Sequence, residues 1–317
     1  MSQPLDPQIA AIVRAQAERG APRAFADGIE AARTRFRAAV EAAPADPGLP
    51  PLAEVRDLPG APVRARLYVA EHPVSDALVV WFHGGGYALG NLDLFDETAR
   101  RLCAGTGARV VAVGYRQAPE HRFPAPFDDA LAATRWVMAN AATLGGRAGR
   151  VIVGGESSGG NLAASTAIRL RDQGVKLLGQ FLVVPGVNLA RTLPDDAVFP
   201  MLSAADLADI RDNLMPPGMP LDTFPPSPLH AADLTGLAPA IIVTAGHDPL
   251  AAEAQAYAAR LDAARVAVTR LHFADMHHQF FGFAAASAGA ARAVTATCAA
   301  LRTLIATQTQ DDQETAE

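Results

Sequence analysis

Gly155, Glu156, Ser157, Ser158 and Gly159 form a G-x-S-x-G run inside RVIVGGESSGGNLAASTAIRL, where an apolar stretch meets an Ala- and Leu-rich one. A serine at a sharp strand-to-helix turn sits in strained backbone with its Oγ exposed above the sheet. Side chains two residues before and after it would clash, so glycine is needed at both places. Ser157 meets this on both sides, whereas Ser158 has Gly160 after it but Glu156 before it. The spacing selects Ser157 as the nucleophile.

Phosphate loops use the same order of strand, glycine turn and helix. Gly155 and Gly160 have their spacing, but Asn161 and Leu162 stand where Lys and Ser or Thr are required. No G-x-G-x-x-G can be laid on the stretch either. Both nucleotide readings fall.

A nucleophilic serine needs a histidine base and an acid that orients it, in the chain order Ser, Asp or Glu, His for a sheet of this kind. The histidines that follow with a suitable position are His247, His272, His277 and His278. His272 falls within the strand-like VAVTRLHF, and His247 adjoins Asp248 too closely to serve as its partner. The loop ADMHHQF offers His277 and His278, between which spacing does not choose. Asp248, after the apolar run AIIVTAG and before Pro249, suits the acid. WFHGGGY (81–87) supplies a glycine loop whose N–H groups can approach a substrate oxygen, with His83 expected to pin it rather than act as base.

These groups must be carried by a sheet. ALVVWFH, RVVAVGY, RVIVGG, QFLVVPG and AIIVTAG are short, almost continuous apolar runs, as strands covered on both faces would be. VRARLYV (63–69) alternates instead, as a half-exposed strand does. With helical periods between them, the runs imply an open, mostly parallel α/β sheet, whose site lies at the carboxyl ends of its strands. Ahead of it, Asp6 and Pro7 start one helix that Gly20 ends, and Phe25, Ile29, Ala32, Phe36 and Val40 form the stripe of a second. Residues 44–52 read as a linker. Residues 188–228 lack a clear strand and are apolar, which favours a lid, with Ser203 and Asp206 capping a helix through Leu214.

The chain has 317 residues, 50% of them hydrophobic, and a net charge of −6 with no basic cluster, which argues against nucleic acid or an anionic membrane as partner. Cys103 and Cys298 are far apart, with neither a disulfide framework nor metal-ligand spacing. No apolar run approaches a membrane span and no signal segment is evident, so a cytoplasmic enzyme is expected.

Taken together the motifs resemble the hormone-sensitive-lipase-like esterases, bacterial family IV of the α/β-hydrolases. HGGGYALG matches their H-G-G-G motif, GESSGG resembles G-D-S-A-G-G, and HDPLAAE resembles D-P-L-x-x-E. YRQAPEHRFPAPFDDA (115–130) and DMHHQF are similar to two further stretches of the family. The resemblance implies the α/β-hydrolase fold: a mostly parallel central sheet flanked by helices, with a helical cap. It implies Ser157 as nucleophile, Asp248 as acid, His278 as base, and an oxyanion hole of the Gly84, Gly85 and Ser158 N–H groups. It makes Tyr87 and the insertion's Phe and Met residues candidates for the pocket. Gln279 departs from the family's Gly after the base, which bears on that loop's conformation.

The expected organisation is N-terminal helices of the cap (1–50), hydrolase core (51–187 and 229–306) around a cap insertion (188–228), and a flexible tail (307–317). The expected reaction is hydrolysis of short- to medium-chain carboxylic esters, without metal or cofactor. Oligomeric state, a homodimer included, is left open. The rival readings are an amidase or deacetylase on the same triad and a non-catalytic binder of small molecules.

Overall fold

The computed structural model describes residues 3–43, 46, 48–194 and 198–314. Its strands are β1 (Leu52–Asp57), β2 (Arg64–Ala70), β3 (Leu78–Phe82), β4 (Arg109–Gly114), β5 (Val151–Glu156), β6 (Gly179–Val183), β7 (Ala240–His247) and β8 (Val268–His277). Its helices are α1 (Pro7–Glu18), α2 (Ile29–Ala42), α3 (Asp96–Thr106), α4 (Ala125–Ala139), α5 (Ser158–Arg171), α6 (Ala204–Leu214), α7 (Ala251–Ala263) and α8 (Ala288–Glu314).

The strands form one sheet in the order β1-β2-β4-β3-β5-β6-β7-β8. β1, β2 and β4 pair antiparallel, and every pairing from β4 through β8 is parallel. The apolar runs follow from two-sided burial. Leu78, Val80 and Phe82 of β3 enter one core with Leu162 and Ile168 of α5, Val137 of α4 and Tyr257 of α7. Val79 and Trp81 enter the other with Leu102 of α3, Leu301 of α8 and Ile9 of α1. Each strand residue therefore meets a helix whichever way it points.

Asp6 caps α1 by accepting from the Gln8 and Ile9 N–H groups, and Ser203 and Asp206 close a reciprocal capping box on α6. Phe25 lies in the turn before α2, not within it, because Gly28 at φ 83° breaks the stripe there.

The linker stretch of 44–52 gives way at Leu52 to β1, an edge strand whose mostly exposed residues carry little apolar signal; residues 44, 45 and 47 lie outside the described ones. One expectation needs correction. The tail expected to be flexible from 307 continues α8 to Glu314, with residues 315–317 outside the described ones. Its polar composition hid a helix that its lack of Gly and Pro permits.

Candidate active site

β5 delivers Ser157 at a turn where φ is 56° and ψ −116°, and α5 starts at the next residue. The turn is too tight for side chains beside it. A Cβ on Gly155 would stand 2.3 Å from the Gly159 backbone, and one on Gly159 would stand 2.0 Å from the Phe82 carbonyl oxygen. The glycine spacing read from the sequence is thus a steric requirement.

Asp248 follows β7 directly, and its Oδ1 accepts from the Leu250 N–H at 2.8 Å. His278 follows β8 directly. Its Nδ1 lies 2.9 Å from the same Oδ1 and its Nε2 lies 2.8 Å from Ser157 Oγ. With the proton assigned to Nδ1, the row reads Oγ–H to Nε2 and Nδ1–H to carboxylate. Ser157, His278 and Asp248, from three separate loops, are brought together in one hydrogen-bonded line.

His278 is 4% exposed. Burial by itself would lower its pKa, but the charge and hydrogen bond of Asp248, aided by Glu156, raise it above the ordinary imidazole value. His277 points elsewhere. It is fully buried, packs edge-on against Phe283, and has no hydrogen-bond partner for either ring nitrogen among the described residues. Burial, with the fields of His278 and His247, pushes it down to about 3, so it stays neutral. His272 meets Thr244 Oγ1, and His247 Nε2 meets the Gln3 carbonyl, both away from the row.

The glycine loop leaves β3 beside the elbow. The N–H groups of Gly84, Gly85 and Ser158 have no protein acceptor among the described residues. Gly85 has φ 106°, and a Cβ there would lie 2.2 Å from the Leu89 carbonyl oxygen. His83 is held between Phe95 and Tyr115 at ring separations of 4.8 and 4.6 Å, and its Nδ1 lies 2.7 Å from the Gly84 carbonyl oxygen. Burial pushes it down to about 4, which keeps it a neutral pin. Tyr115 donates to the His83 carbonyl at 2.9 Å.

Tyr87, the candidate for the pocket, lies four residues beyond His83 in the glycine loop. Its φ is 60°, it is 2% exposed, and its ring stacks on Phe127. Of the insertion's methionines, Met215 is buried and Met219 is exposed. Gln279 has φ −93°, a conformation open to any residue, so no glycine is required after His278.

Several supports escaped the sequence. Glu253 accepts from the Val187 and Asn188 N–H groups at 2.7 and 3.0 Å and pairs with Arg191. This braces the loop whose Gly186 N–H reaches the Ser157 carbonyl. Arg33 of α2 donates to the Ala88 and Ala118 carbonyls and pairs with Glu120. Phe25, Ala32 and Ile210 pack on Ala88 and Leu89, and Leu193, Leu202, Leu207 and Leu250 form an apolar cluster nearby. Glu253 was signalled by the D-P-L-x-x-E resemblance, but Arg33 sits in a stretch where nothing marks its partners.

A family model described as alpha/beta hydrolase fold matches residues 79–282. Esterase LipI of Mycobacterium tuberculosis is 36% identical over 297 residues, covering 88% of this chain and 89% of that protein. Carboxylesterase NlhH of the same organism is 42% identical over 233 residues, covering 71% and 73%. Among solved structures, a hyperthermophilic esterase from Pyrobaculum calidifontis matches with a TM-score of 0.83 and 33% identity, covering 95% of this chain and 99% of that one.

Proposed function

As a member of the α/β-hydrolase family, in its hormone-sensitive-lipase-like branch, this chain is a carboxylic ester hydrolase, and we propose that it works through an acyl-enzyme on Ser157. The observation that carries the assignment is the unbroken line from Ser157 Oγ through His278 to Asp248.

Ser157 Oγ attacks the ester carbonyl carbon while its proton passes to His278 Nε2. Asp248 holds the ring with Nδ1–H toward itself and stabilises the imidazolium that results. The oxyanion is received by the Gly84, Gly85 and Ser158 N–H groups, free donors beside the nucleophile. As the carbonyl re-forms, the C–O bond to the alcohol breaks and His278 returns the proton to the leaving oxygen. Water then attacks the acyl-enzyme, His278 takes its proton, and the acid departs as Ser157 recovers the proton.

The apolar cluster of Leu193, Leu202, Leu207 and Leu250 supports acyl groups of short to medium length under a cap made by the N-terminal helices and residues 188–228. Residues 195–197 of that segment lie outside the described ones. Among the described residues no helix is long and apolar enough to cross a membrane. The buried, unbridged thiols of Cys103 and Cys298 suit a reducing compartment, which favours a cytoplasmic location.

A panel of p-nitrophenyl esters from acetate to palmitate, run with Ser157→Ala, tests the reading. Turnover should peak at the short to medium esters and fall by roughly four to six orders of magnitude in the variant. Near-normal activity in Ser157→Ala would overturn the assignment.

A further inference from the structure

Tyr115 is the first residue after β4, and β4 lies beside β3, whose end carries the oxyanion loop. It is 3% exposed, and its ring stacks on the His83 imidazole at 4.6 Å. Its hydroxyl stands 2.9 Å from the His83 carbonyl oxygen and 3.4 Å from that of Gly84. Only the first distance is that of a good O–H···O bond. Burial pushes the phenol up, so it keeps the proton that it donates.

The His83 carbonyl and the Gly84 N–H belong to one peptide group. A trans peptide is planar, with its oxygen and its hydrogen on opposite edges. Whatever fixes the oxygen therefore aims the hydrogen. The next peptide is fixed in the same way by His83, whose Nδ1 lies 2.7 Å from the Gly84 carbonyl oxygen; the Gly85 N–H is on the other edge. Gly84 has no side chain to hold its own plane, and a Cβ there would stand 3.6 Å from Ser157 Cβ. The first donor of the loop thus lies beside the nucleophile, with the Tyr115 hydroxyl holding its peptide from the far edge.

Resting on the serine-esterase reading, we propose that Tyr115 is a positioning residue for the oxyanion hole: through the His83 carbonyl it aims the Gly84 N–H at the substrate oxygen. It acts on the peptide and not on the substrate. A carbonyl oxygen in the bound ester is a modest acceptor, and the oxyanion that replaces it is a strong one. A misaimed donor therefore costs most when charge has developed, so the loss falls on kcat.

The test is Tyr115→Phe, which keeps the ring on His83 and removes the hydroxyl alone. Hydrolysis of p-nitrophenyl butyrate is measured on active-site-titrated enzyme, with thermal melting as control. kcat should fall by about ten- to thirtyfold, less than the ~10²–10³ that loss of a whole donor costs, while KM moves by less than about twofold. A trifluoromethyl ketone supplies the second readout. Ser157 Oγ adds to its carbonyl carbon, His278 takes the serine proton, and the ketone oxygen becomes an oxyanion in the hole. Its Ki should rise by the same factor as kcat/KM falls.

An unchanged kcat in folded Tyr115→Phe would overturn the proposal. So would a fall in kcat with the ketone's Ki unmoved. A loss confined to KM, melting temperature and the titratable fraction would overturn it too, since that is what a merely structural role gives. Should Tyr115→Phe not fold, replacement of Tyr115 by 4-aminophenylalanine, a weaker donor in the same place, decides. A joint fall in kcat and ketone affinity at steady KM supports the proposal, and an unchanged kcat overturns it. Hydrolysis that survives Ser157→Ala would instead overturn the esterase reading on which the proposal rests.

Discussion

At the scale of single residues, two adjacent histidines separate into unlike roles through their surroundings. His278 lies between a carboxylate and a hydroxyl, and His277 lies between apolar groups. His278→Ala should lower kcat by roughly four orders of magnitude or more, as loss of the base does in serine hydrolases. His277→Ala should keep activity within about threefold and destabilise the fold by about 1–3 kcal/mol, the cost of an incompletely filled core. Steady-state kinetics beside urea unfolding checks both, and the opposite order would reassign the base. Because the pKa of His278 is raised above 6.5, kcat/KM in the wild type should fall as pH drops and reach half its plateau above that value. A pH–rate profile measured on active-site-titrated enzyme reads this directly.

At the scale of elements, the glycine loop is held from α2 and α6 as well as from the sheet. Arg33 reaches from α2 to the Ala88 and Ala118 carbonyls, and Ile210 of α6 stands 2.6 Å from where a Gly86 Cβ would be. Arg33→Ala should lower kcat by roughly tenfold with a smaller change in KM, since on the proposed mechanism the loop's donors act mainly on the transition state. Arg33→Lys should not restore it, because one ammonium cannot span two carbonyls and a carboxylate in a fixed fork. Kinetics on both variants, with thermal melting as control, checks this.

The elbow, the buried strands, the α6 capping box and the α1 start were legible in the sequence because each is enforced locally, by glycine sterics, two-sided burial or a short-range hydrogen bond. β1 was not, since its exposed residues Ala53, Glu54, Arg56 and Asp57 leave almost no apolar pattern. Nor were the ties of Arg33 and Glu253, whose partners named above lie 55 to 87 and 62 to 66 residues away along the chain. The choice between His277 and His278 needed the family resemblance, as neighbours in a loop share every spacing.

At the scale of the whole molecule, the N-terminal segment is fastened at two places. α2 and its preceding turn pack on the glycine loop, while α1 meets the start of α8 and the end of β8. Asp6 is the knot of the second. It accepts from Gln8, Ile9 and the Ser287 hydroxyl, and its own N–H donates to the Asp275 carbonyl. Asp6→Ala should cost about 2–4 kcal/mol, a lost helix cap plus a buried hydroxyl left unpaired. The fraction of chains labelled by a fluorophosphonate in the native state should keep near-normal kcat. Urea denaturation with active-site titration separates the two effects.

The Asp6 contacts also set an order of events during synthesis. Ribosomes release the chain from its N-terminus, so Asp6 emerges some 281 residues before the Ser287 hydroxyl that it will accept from. Until Asp275 and Ser287 have left the exit tunnel, α1 has no docking place for its cap. α1 is therefore fixed only after the chain behind it has been made, and the sheet must hold its own while that helix waits.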